Sequence, residues 1–172
     1  VKRSISLLTF AGAAIGAPAM AADLNVTVEV PKLTVAEYHK PYVSIWIENP
    51  ADSTAAGTLA VWYDADNRED KGSKWLKDMR QWWRKAGREM SFPADGVSGA
   101  TRAPGPQKVV FSGAKGALKD LKPGAYNLVV EAAREVGGHE AVRVPFTWGG
   151  KPGKPATVKG ASELGAVTVS VK

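Results

Sequence analysis

Tyr42-Val43-Ser44-Ile45-Trp46-Ile47-Glu48 decides the class of fold. Its side chains alternate with period two: Tyr42, Ser44, Trp46 and Glu48 share one face, and Val43, Ile45 and Ile47 share the other. That pattern describes a strand with one face in a core. Toward the N-terminus, Leu24-Asn25-Val26-Thr27-Val28-Glu29-Val30 alternates in the same way. Pro31 closes it, because proline has no N–H to give to a sheet. Residues 32–41 form a polar connection between the two. Toward the C-terminus, the small polar residues 49–57 suit a hairpin loop. Leu59-Ala60-Val61-Trp62-Tyr63-Asp64 is the next strand.

The period then changes. Over residues 74–86, Trp75, Leu76, Met79, Trp82, Trp83 and Ala86 fall on one stripe when each residue turns by about 100°. Lys74, Lys77, Asp78, Arg80, Gln81, Arg84 and Lys85 take the opposite side. Gly72-Ser73 offers a break and an N-cap, and Gly87 a stop, so one amphipathic helix is predicted here. Core packing is the expected role of Trp75, Met79 and at least one of Trp82 and Trp83. Adjacent helical residues diverge by about 100°, so the other tryptophan lies near the rim with a ring face to offer.

Strand patterns return at Lys108-Val109-Val110-Phe111, at residues 125–131 after Pro123-Gly124, and at residues 140–148 after Gly137-Gly138. A glycine pair between two such runs signals a hairpin. Residues 151–160, rich in proline, glycine and lysine, read as a long solvated loop, and residues 164–171 as the last strand. About seven short strands with turn signals between them predict a mainly β fold: an immunoglobulin-like antiparallel β-sandwich with one inserted amphipathic helix.

Lys2-Arg3, an apolar run from Ile5 to Ala19 and the small-residue site Ala19-Met20-Ala21 have the layout of a secretory signal peptide over residues 1–21. The run is too short and too rich in glycine and alanine to span a membrane. Residues 22–172 then form one domain of about 150 residues, large enough for a sizeable core. An exported, periplasmic protein that does not span the membrane is expected. With no cysteine, disulfides, thiolate catalysis and iron–sulfur ligation are excluded. The net charge of +6 falls to +4 without Lys2 and Arg3. Export makes nucleic acid an improbable partner for this basic surface; anionic headgroups, an acidic protein or a phosphorylated cofactor suit it better. Asp64, Asp66, Glu69 and Asp70 do not have the spacing of a calcium loop, and His39 and His139 lack ligand-like neighbours, so no metal site is expected.

Between the helix and the later strands lies Asp95-Gly96-Val97-Ser98-Gly99-Ala100-Thr101, followed by Arg102-Ala103-Pro104-Gly105-Pro106. Two glycines, two hydroxyls and no large side chain read as an exposed turn that holds out a hydroxyl, that of Thr101. The run Asp-x-x-Ser-Gly-Ala-Thr resembles the flavin-attachment motif of extracytoplasmic flavoproteins. The wider chain resembles the periplasmic proteins grouped as domain of unknown function 2271, through Leu59–Asp64, the Trp75–Trp83 segment and the loop. Together these resemblances imply FMN held covalently at Thr101 as a phosphodiester, and an electron carrier rather than an enzyme. Asp95, Ser98, Gly99 and Ala100 would shape the attachment loop, and Trp82 or Trp83 would stack on the flavin. The implied partners are a periplasmic flavin transferase and a PepSY-like inner-membrane redox protein. Many flavinylated domains have a second hydroxyl just after the acceptor, where this chain has Arg102-Ala103-Pro104. The competing expectation is a cofactor-free sandwich that binds a partner or small ligand through its Trp/Arg-rich surface.

Overall fold

The computed structural model describes residues 22–66 and 72–172. The expected signal peptide lies outside the described residues, as do Glu69 and Asp70 of the acidic segment.

The predicted sandwich is what forms. One sheet has four strands in the order β5-β1-β9-β8: β5 (Gly105–Ser112), β1 (Asp23–Val30), β9 (Ala166–Val171) and β8 (Ala156–Lys159). The other has five in the order β4-β3-β2-β6-β7: β4 (Ser98–Ala100), β3 (Ala55–Tyr63), β2 (Tyr42–Glu48), β6 (Gly124–Ala133) and β7 (His139–Trp148). Every pairing is antiparallel except β3 with β4. Pro145 is tolerated in β7 because that strand closes an edge of its sheet, where a missing N–H breaks no ladder.

The inward faces follow the alternation. Leu24, Val26 and Val28 of β1 meet Val43, Ile45 and Ile47 of β2, with Leu128, Val130, Val144, Val167 and Val169 completing the core between the sheets. The other face of the five-stranded sheet is covered as well. Trp46, Val61, Tyr63 and Val129 pack there against Leu76, Met79 and Trp82. Strand β2 is therefore buried on both sides, and even Ser44 and Glu48 are sealed.

The covering layer differs from the single helix predicted. Ser73–Asp78 is a 3-10 helix, Arg80–Lys85 is α1, and Gly87–Glu89 is a second 3-10 turn. The backbone departs from helical geometry at Met79 (φ −79°, ψ 73°), so α1 restarts with free N–H groups. The buried carboxylate of Glu131, on β6 beneath, accepts the N–H of Gln81 at 2.9 Å and of Trp82 at 2.7 Å. His139 bonds to the same carboxylate. A cap reaching up from the sheet replaces one within the helix.

Three further differences have local causes. Strand β8 interrupts the loop expected over residues 151–160, since Ala156-Thr157-Val158-Lys159 is a short alternating run between Pro155 and Gly160. Strand β4 lies inside the glycine stretch expected to be an open turn. A short helix α2 (Gly116–Lys119), which no periodicity announces, buries Leu118 in the inter-sheet core.

Candidate functional site

The glycine stretch begins as a tight turn. Ala94 accepts the N–H groups of Val97 and Ser98 at 3.1 and 2.9 Å, and its own N–H donates to Ser98 Oγ at 2.9 Å. Gly96 takes φ +71°, a conformation that costs glycine little. Ser98 thus closes the turn through its side chain, while Asp95 is exposed on it. The chain then runs parallel to β3, with Ser98 opposite Val61, Gly99 opposite Trp62 and Ala100 opposite Tyr63. A Cβ on Gly99 would lie 3.3 Å from Trp62 Cδ1, so the glycine lets this edge strand close against the indole.

Thr101 follows directly, half-buried, and no described residue hydrogen-bonds its hydroxyl. Arg102 folds back with its guanidinium carbon 5.2 Å from the centroid of the Trp62 ring. That cation–π contact anchors the chain immediately past the threonine. Thr101 is neither lost in the core nor on an isolated tip. It borders a cleft of about 520 Å³, within the range usual for small-molecule sites.

The cleft lies where several elements of the five-stranded sheet end together. Tyr42 opens β2, Asp64 follows β3, and Ala133 closes β6 before the turn that carries Arg134, Glu135 and Val136. Tyr38, His39 and Lys40 of the β1–β2 connection form one wall, and Trp75 and Asp78 of the first 3-10 helix form another. Burial pushes the Tyr42 phenol up, against the opposing pull of the Asp64 backbone N–H. Tyr42 therefore presents a neutral ring. His39 is held by Glu37 at 2.9 Å and Glu135 at 3.7 Å.

The aromatic residues singled out in the sequence are redistributed. Trp82 has no exposed surface; its indole N–H donates to Thr58 Oγ1 at 3.1 Å. It cannot stack on a ligand. Trp83 is half-buried beside it, with ring centroids 6.1 Å apart and planes tilted by 60°. Neither borders the cleft with Thr101. Trp75, expected in the core, is instead 49% exposed, lies along the cleft and carries Lys74 Nζ 5.2 Å above its ring. The break at Met79 is the cause. It re-aims the first turn, so a residue on the apolar stripe of a continuous helix swings outward. Sequence reasoning also missed Tyr38, Tyr42 and Arg134 as cleft residues. They stand in three separate segments with no common motif, and only the strand ends bring them together.

Among the described residues, no group of three or more His, Asp or Glu side chains comes together to hold a metal ion. No described helix is long and apolar enough to cross a membrane. The model of a family described as predicted periplasmic protein (DUF2271) matches residues 23–166. No curated protein and no solved structure matches the chain.

Proposed function

Since the chain belongs to the DUF2271 family of predicted periplasmic proteins, we propose that it is a periplasmic electron-transfer module carrying FMN on Thr101 through a phosphodiester. The observation that carries this reading is the Thr101 hydroxyl: half-buried, without a hydrogen-bond partner among the described residues, and bordering the 520 Å³ cleft. Covalent attachment suits a compartment from which free flavin would diffuse away. In the attachment step Thr101 Oγ attacks the FMN-side phosphorus of FAD. The new O–P bond replaces the pyrophosphate bond, AMP leaves, and the hydroxyl proton is lost. Mg²⁺ on a flavin transferase would neutralise the phosphates. The chain supplies the acceptor and a rigid platform.

The fit of the flavin rests on this chain's own groups. The tether at Thr101 would place the ring within reach of Trp75 and Tyr42, two aromatic faces on the same cleft. Arg102, the residue after the acceptor, would supply a positive charge to match the added phosphate. The flavin would supply the redox chemistry when attached, and the partner exchanging electrons with it would be a PepSY-like redox protein of the inner membrane. A second reading, cofactor-free capture of a small ligand, draws support from the exposed Trp75 and the charged cleft walls.

Coexpression with a flavin transferase separates the two. The first reading expects a yellow protein heavier by one FMN, with both properties lost in Thr101→Ala. An unmodified, colourless wild-type protein under those conditions overturns it.

A further inference from the structure

Arg134 follows the last residue of β6 and is held almost entirely inside the fold. Its Nε donates to Glu163 Oε2 at 2.9 Å and its Nη2 to Glu163 Oε1 at 3.1 Å, with both side chains 6% exposed. Glu163 belongs to the β8–β9 connection, so the pair ties the two sheets together at this end. The turn below fits closely around it. Gly138 N–H donates to Glu163 Oε1 at 2.8 Å, and a Cβ on Gly137 would stand 2.4 Å from Arg134 Cζ. The glycine pair that marks a hairpin in the sequence also makes room for this guanidinium.

One edge of the guanidinium is thereby used and the other is not. Arg134 Nη1 is buried and has no hydrogen-bond partner, and the same is true of Tyr38 Oη. Both residues line the cleft beside Thr101. Burial pushes the Tyr38 phenol up, against the opposing pull of the Arg134 charge, so the phenol stays a donor. Buried donors without acceptors cost stability, and a native fold rarely keeps two at one place without a use for them.

We infer that Arg134 Nη1 and Tyr38 Oη are the receiving end of a binding site for a carbonyl oxygen on a flat, neutral ring. The charge balance selects this chemistry. Arg134 is already matched by Glu163, and the other described charges on the cleft walls include Lys40 on one side and Asp78 and Glu135 on the other. The described residues on the walls therefore offer a free anion no net attraction, whereas an uncharged acceptor satisfies both donors. Trp75 and Tyr42 supply aromatic surface for the ring. Tyr38 sits in the connection between β1 and β2, which has neither helix nor strand, so a small shift of that connection lets a ligand reach both donors while the phenol stays at the site. Resting on the flavin reading, the ring is the isoalloxazine and the acceptors are the carbonyls of its pyrimidine edge.

Riboflavin tests this without attachment, because it has no phosphate to transfer. Titrated into protein made without a flavin transferase, it is expected to bind saturably to wild type and to Thr101→Ala, with quenching of its fluorescence. Tyr38→Phe is expected to weaken binding about tenfold, the loss of one hydrogen bond to a buried group. The melting temperature of Tyr38→Phe should not fall, since the hydroxyl removed has no partner. No binding to wild type, or equal binding to Tyr38→Phe, overturns the site. Mass measurement after coexpression with the transferase reports separately on Thr101. A flavinylated protein whose riboflavin affinity ignores Tyr38 loses only the carbonyl site, and one that binds riboflavin through Tyr38 yet never gains FMN loses only the attachment.

Discussion

Glu131 and Trp82 are joined by a 2.7 Å hydrogen bond from the Trp82 backbone N–H to a carboxylate with no exposed surface. Through it the five-stranded sheet holds the start of α1, where the covering layer departs from helical geometry at Met79. The same carboxylate takes the Gln81 N–H at 2.9 Å and bonds to His139. The sheet thus supplies the electrostatic end of a helix that has no cap of its own, and the negative charge faces the positive end of the helix dipole.

Glu131→Ala should therefore cost about 3 kcal/mol, through unsatisfied N–H groups and an unfilled space. Urea denaturation followed by tryptophan fluorescence measures it. A loss below about 1 kcal/mol would show that the covering layer is held by Leu76, Met79 and Trp82 alone.

Acid should weaken the fold through Glu48 and Glu140. At both, burial by itself would raise the carboxyl. At Glu48 that effect is outweighed by Arg143 (2.9 Å) and Lys85 (2.8 Å), and at Glu140 by the N–H groups of Ala161, Leu164 and Ser162. Both carboxyls titrate below the ordinary value of 4.5. Because the folded pKa is the lower one, their stabilisation is complete above the unfolded value and disappears as pH falls through the folded one. The melting temperature should stay level down to about pH 5 and then drop. Glu140→Gln should melt lower than wild type at pH 7 and converge on it toward pH 3. Parallel curves across that range would remove Glu140 from the account.

Gly87→Ala should destabilise although alanine is the better helix former. The added Cβ would lie 2.8 Å from Trp82 Cη2 and Cζ3 and 2.8 Å from Trp83 Cε3. Two indoles packed over one glycine leave no room, and overpacking of this kind costs about 1–3 kcal/mol. Equilibrium unfolding reads the loss, and a gain in stability would mean that the rings move apart freely.

Thr101 should be dispensable for folding. Its hydroxyl has no described partner, so Thr101→Ala should change stability by less than about 0.5 kcal/mol while abolishing any flavin adduct. Thr101→Ser should keep the adduct. A Thr101→Ala protein that melts several degrees lower would give the hydroxyl a structural role that the geometry does not predict.

Much of this molecule is legible in single stretches. The alternation of Leu24–Val30 and Tyr42–Glu48 placed the right residues in the inter-sheet core, because a strand's period survives whatever it packs against. The Trp75–Trp83 stripe was harder. Leu76, Met79 and Trp82 do face the sheet, but Trp75 does not, since periodicity assumes the helix is continuous. The polar face of Tyr42–Glu48 looked solvent-facing, yet it is covered, and its charges are matched by Arg143 and Lys85 from other elements. Nothing within a seven-residue window carries that information.

By itself, the amino-acid sequence determined the β-sandwich and the stop and start of most strands. These depend on local rules: side-chain period, turn residues and the freedom of glycine. Only the tertiary structure decided which aromatic residue borders the cleft, where the helix breaks, and that Tyr38 and Arg134 meet beside Thr101. Those outcomes come from strand ends distant in sequence being fixed side by side, and from buried charges and donors that must find partners wherever the fold brings them.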